Sequence, residues 1–236
     1  MMKYPGALDE EIRKEENYGP EALVDGIVNM AKYKGTCPKI LWILKEANWD
    51  HKAGCPPQLD DYNHRNFYKN VKCYKRWKST FKLVIACSFG IIYKPKVMPV
   101  VDEEPLVNGI NVMHNIALIN VKKTAGKSAS KDAEISKAYK AHRELLLKQI
   151  KQIGADVIIN CSRVGELTDD LSEKLGESME DLPIKKGNMA RGFYNNEKLV
   201  IEYNHPNTRG NQTDESYYED IMWCYKKWKE LPPIKK

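Results

Sequence analysis

"KILWILKEANWD", residues 39–50, decides how this chain folds. Apolar side chains run from Ile40 to Leu44 without alternating with polar ones, the pattern of a strand covered on both faces. Lys45, Glu46, Asn48 and Asp50 then crowd into the next six positions. A buried strand with such an ending has either merely surfaced or delivers those groups to a site.

Three further runs share the pattern: "IALIN" (116–120), "ADVIIN" (155–160) and "LVIEYN" (199–204). Helical signals separate them. "YKRWKSTFKLVIACSFGI" places Trp77, Phe81, Val84, Ile85 and Ser88 at roughly helical spacing. "EISKAYKAHRELLLKQIKQI", Glu134 to Ile153, is strongly amphipathic, and Gly154 is placed to end it. "ESYYEDIMWCYKKWKEL" predicts a closing helix, and "GFYNNEKLVIEYN" predicts a hairpin around Asn195-Asn196. In "GPEALVDGIVNMAKYKG", Pro20 as starter, Leu23, Ile27 and Met30 as stripe and Gly35 as stop predict an early helix. Apolar strands alternating with helices predict an α/β fold, a three-layer α/β/α sandwich around a mainly parallel four-stranded sheet. One domain is expected over residues 1–236, with 1–35 as an N-terminal helical extension.

Composition agrees with one core: 236 residues, 42% of them hydrophobic. Lysine and arginine number 38 against 32 acidic residues, a net charge of +6 that suits a polyanionic partner without requiring one. The first residues form neither the apolar centre of a signal peptide nor a membrane span, so a cytoplasmic monomer with no membrane partner is expected. Six cysteines are scattered without a CxxC pair. The looser set His51, Cys55, His64 and Cys73 matches no standard metal spacing, and no metal or other cofactor is expected. Neither GxGxxG nor GxxxxGK[ST] occurs, which disfavours a nucleotide hydrolase with a phosphate loop.

In sheets of this kind the working site lies beyond the carboxyl ends of the strands. Glu46 and Asn48 follow the first run, Asn120, Lys122 and Lys123 the second, Asn160 to Arg163 the third, and Asn204 to Arg209 the fourth. Singly, Glu46 is the type of residue that caps a helix or forms an ion pair, Asn120 one that satisfies a loop backbone, and His205 one that hydrogen-bonds in a turn. Their convergence on one rim points to chemistry.

The order of these motifs resembles the uracil-DNA glycosylase superfamily. "KEANW" stands where that family has a first motif such as GQDPY, GMNPG or GEAPG. "LINVKK" is similar to its asparagine motif, "YNHPNTRG" to its histidine motif, and "QIKQIGADVIINCS" to the helix and strand between them, over roughly residues 36–223. Lys45, Asn48 and Asn207 replace the usual glycine, proline and serine, marking a divergent member.

The resemblance implies a DNA glycosylase that flips out an altered base, uracil or a modified pyrimidine, and hydrolyses its bond to the sugar. Repair, or defence against phage with modified DNA, would be its purpose. Glu46, helped by Asn48, would position water and offset positive charge on the sugar, while His205 would donate to the departing base. Asn120 would read the base edge, one of Tyr62, Phe67 and Tyr68 in the polar 51–70 loop, with Phe67 the first choice, would stack on it, and Trp49 would wall the pocket. Lys122, Lys123 and Arg209 would contact DNA phosphates, and Arg209 would also fill the gap left by the flipped base. The alternative is a catalytically silent nucleic-acid-binding module on the same fold.

Overall fold

In the computed structural model, the described residues are 25–48, 71–102, 106–126, 131–174, 178–183, 187–207 and 212–234; side chains at 47–48, 71–78, 125–126 and 174 are left aside. Trp49, Tyr62, Phe67, Tyr68, Arg209 and the set His51, Cys55 and His64 lie outside these residues, as does the side chain of Cys73.

The long apolar runs become strands β2 (Ile40–Asn48), β3 (Ile116–Gly126), β4 (Val157–Asn160) and β7 (Leu199–Glu202). All four are parallel, in the order β3-β2-β4-β7. The expectation of a four-stranded sheet needs correcting, because the sheet has seven strands and is mixed. β1 (Gly26–Ile27) pairs antiparallel with β3 at one edge, and β6 (Arg191–Tyr194) and β5 (Glu180–Asp181) extend the other. β6 is the first half of the expected hairpin, whereas β1 and β5 have two residues each, too few to show a periodicity in a sequence.

The early helix is also corrected. Pro20 and Leu23 lie outside the described residues, and of residues 25–35 only α1 (Met30–Lys34) is helical, started by Asn29, whose side chain accepts from the Lys32 amide at 3.1 Å. Ahead of it, Gly26 has φ +136°, a conformation that favours glycine, and the chain joins the sheet edge. The helical spacing of Ile27 and Met30 therefore gives way to backbone pairing with β3.

Helices cover both faces. On one, α2 (Val71–Tyr93) and α5 (Asp214–Glu230) pack on Ile40, Trp42, Leu118, Ile159 and Ile201. On the other, α3 (Asp132–Ile153) and α4 (Gly165–Lys174) pack on Leu41, Ile43, Ile119, Ile158 and Val200. Adjacent β2 residues thus point to opposite cores, which is why the run could not alternate with polar residues. Each such side chain contributes about 1.5–3 kcal/mol by leaving water. Trp42 satisfies its indole N–H on Ser88 Oγ of α2 at 3.0 Å. Gly154 ends α3 in the left-handed conformation, φ +62°, and β6 and β7 form the hairpin expected around Asn195-Asn196.

The path of the chain positions the site. It leaves β2 for β3 through α2 on one face, then passes back over β2 to β4 through α3 on the other. The strand order therefore reverses between β2 and β4, the place where ligand crevices open in sheets of this kind.

Candidate active site

β2 and β3 run beyond their neighbours. β2 pairs with β4 only as far as Ile43 opposite Asn160, whereas its pairing with β3 continues to Asn48 opposite Gly126. An irregularity between Glu46 and Asn48 breaks the register, a device that commonly re-aims side chains at functional edges. Glu46, Asn48, Asn120, Lys122 and Lys123 therefore sit inside strands rather than in loops beyond them.

That placement sorts the candidates by parity. Glu46 lies opposite Lys122, and Lys122 Nζ donates to its Oε2 at 2.6 Å. The Glu46 side chain is 2% exposed and that of Lys122 24%, so the carboxylate is covered while the amine reaches the surface. Lys123 points the other way. It is 1% exposed, and its amine donates to Asp25 Oδ1 at 2.6 Å and Gln149 Oε1 at 2.8 Å. Its expected contact with DNA phosphate is corrected accordingly: successive side chains in a strand face opposite sides, and this amine is committed inside the protein.

Asn120 stands opposite Leu44, one step below the Glu46 and Lys122 pair on the same strands, and is buried. Its backbone N–H donates to Asp25 Oδ2 at 2.6 Å, and its side-chain Nδ2 reaches the same oxygen at 3.4 Å. Asn48 ends β2.

His205 follows β7, two strands away from β2. Its Nδ1 accepts the backbone N–H of Asn207 at 3.2 Å. Burial, reinforced by the nearby Lys45 ammonium, pushes the imidazole down to about 4. At neutral pH His205 is thus uncharged, and because Nδ1 accepts, the ring proton is on Nε2. The sequence singled out His205 but not this lock, which depends on Asn207 folding back two residues later.

The base of the His205 segment is tied from below. Tyr217 of α5 donates to the Asn204 carbonyl at 2.8 Å, and its ring packs on Tyr203 with centroids 4.5 Å apart. Tyr203 in turn donates to Asp220 at 2.5 Å and accepts from Gln212. Lys45 bonds Asp132 Oδ1 at 2.8 Å at the start of α3, which holds the Asp132 carboxyl below its usual range. Arg163, after β4, approaches the same carboxylate at 3.5 Å.

Asn160 is structural. Its Oδ1 accepts from the Ser162 amide at 3.1 Å and the Ser162 hydroxyl at 2.6 Å, while Nδ2 donates to Thr168 at 3.0 Å. Ser162 Oγ then accepts from the Val164 amide at 3.2 Å, which leads the chain into α4. Cys161 is no nucleophile, since burial pushes its thiol up to about 12.

Among the described residues no group of three or more His, Cys, Asp or Glu side chains could hold a metal ion, and no helix is long and apolar enough to cross a membrane. Neither protein-family models nor curated proteins match the sequence.

Proposed function

We propose that the chain is a DNA glycosylase of the uracil-DNA glycosylase type that excises an altered pyrimidine and leaves an abasic site. The observation that supports this proposal is the state of His205, which follows a strand parallel to those carrying Glu46 and Asn120: burial pushes its imidazole down to about 4 and its Nδ1 accepts the Asn207 amide. A departing pyrimidine takes the bonding pair of the broken C1′–N bond and becomes an anion. A neutral imidazole donor can stabilise that anion without first having to bind a proton from solution. Water supplies hydroxide to C1′ and its proton ultimately to the base. Glu46 is the carboxylate positioned to orient that water and to offset charge on the sugar, with Lys122 holding it in place. Asn120 carries both donor and acceptor for the base edge. Uracil repair and removal of bulkier pyrimidines from phage DNA are the two purposes this chemistry serves.

A second function has one observation in its favour. The ion pair of Glu46 with Lys122 covers the carboxylate, as expected of a nucleic-acid-binding module that has lost turnover. Oligonucleotides and phage DNAs carrying uracil or modified pyrimidines, incubated with protein and then treated with alkali, separate the two. Strand breaks at the altered positions support excision, and binding without breaks on every substrate supports the silent module.

A further inference from the structure

The rim is underlain by an ion pair that stability alone does not explain. Asp25 is 2% exposed, Lys123 1% and Gln149 0%, so two charges sit in a site closed to water. Removing both ions from water costs several kcal/mol each, and a well-packed apolar pair in the same volume is often as stable or more so. Such a pair needs another reason to be there, and its bonds point to one. Asp25 Oδ1 takes Lys123 Nζ at 2.6 Å and Gln149 Nε2 at 3.0 Å. Asp25 Oδ2 takes the Asn120 backbone N–H at 2.6 Å and its side-chain Nδ2 at 3.4 Å.

We propose that Asp25, held by Lys123 and Gln149, is a positioning residue that fixes the orientation of the Asn120 carboxamide and thereby the base edge it accepts. A carboxamide has an accepting and a donating end of nearly the same shape, and rotation about its last bond exchanges them. With Lys123 as counter-ion, the Asp25 carboxylate is an acceptor only. It selects the Nδ2 end of Asn120 and leaves Oδ1 on the side away from Asp25. Oδ1 is then the leading group offered to a base, with the second Nδ2 hydrogen still able to donate beside it, which matches an edge with a ring N–H or an exocyclic amine and penalises one without such a donor. This role rests on the base-reading function proposed above for Asn120. Lys123, which burial removes from the DNA surface, acquires a part in selectivity instead.

The double variant Asp25→Asn/Lys123→Met tests the proposal. It removes both charges at nearly constant volume and replaces the acceptor with an amide that can face Asn120 either way. Expected are an unfolding midpoint at or above that of the parent, shifted Asn120 side-chain NH2 resonances in 15N spectra and unchanged DNA affinity. Excision should slow by roughly tenfold to a hundredfold, with discrimination between bases reduced. Parent-like resonances, rate and base preference in the folded double variant would overturn the proposal. Should the parent itself release no base, the glycosylase function fails separately, and the NH2 resonances alone decide: shifted, the device stands; unchanged, it falls. Should the double variant not fold, Asn120→Asp decides instead. It sets a second carboxylate against Asp25 and must lower the unfolding midpoint, and a parent-like midpoint would overturn the proposal.

Discussion

His205 shows how little of a side chain's chemistry lies in its identity. A histidine before proline at a strand end is visible in the sequence, but its protonation is set by burial, by Lys45 and by the Asn207 amide on Nδ1. NMR titration should place its midpoint at about 4, with Nε2 carrying the proton at pH 7; a midpoint near the ordinary 6.5 would contradict the assignment. Glu46 and Lys122 make an asymmetric prediction. Lys122→Met takes a charge partner at 2.6 Å from a carboxylate whose side chain is only 2% exposed, whereas Glu46→Gln leaves an amine that can still reach water. In urea unfolding the lysine variant should be the less stable by about 1–3 kcal/mol, and equal midpoints would deny the carboxylate its burial.

At the scale of elements, the four parallel strands were legible because each has a stretch covered on both faces, which must be apolar. The polar ends of β2 and β3 misled for a physical reason: a strand that outruns its neighbours can carry polar residues while still paired. Lys122 and Lys123 then face opposite ways, a consequence of pleating that a loop would not impose. β1 and β5 were not legible, since backbone pairing with an existing edge makes small demands on side chains. Helix packing yields a further test. A Cβ at Gly90 of α2 would stand 2.7 Å from the Tyr218 ring and 2.8 Å from Met222 Sδ of α5, whereas one at Gly165 would meet nothing within 4 Å. Gly90→Ala should cost about 1–3 kcal/mol in denaturant unfolding, while Gly165→Ala should cost nothing. Equal effects would mean that α2 and α5 do not meet at Gly90.

For the whole molecule, folding and chemistry are linked through the same imidazole. The folded chain holds His205 at about 4, below the ordinary 6.5, so on acidification the unfolded chain takes the proton first. The stability associated with neutral His205 is therefore complete above about pH 6.5 and is lost as pH falls towards 4. His205→Gln should flatten the stability profile between these values, and an unchanged slope would mean that His205 titrates alike in both states. Much of the candidate site follows from chain order, because a parallel sheet brings its strand ends to one rim however far apart they lie in sequence. Asp25 could not be foreseen, since its partners Asn120, Lys123 and Gln149 are assembled only by the sheet edge meeting α3.

Base excision is tested most directly by single-turnover release of the free base from DNA, quantified by mass spectrometry on substrates containing uracil or modified pyrimidines. The parent protein should release an altered pyrimidine, and His205→Ala should do so about a hundredfold more slowly or less while binding the same DNA equally well. No release from any substrate, or release at the parent rate by the His205→Ala variant, would contradict it.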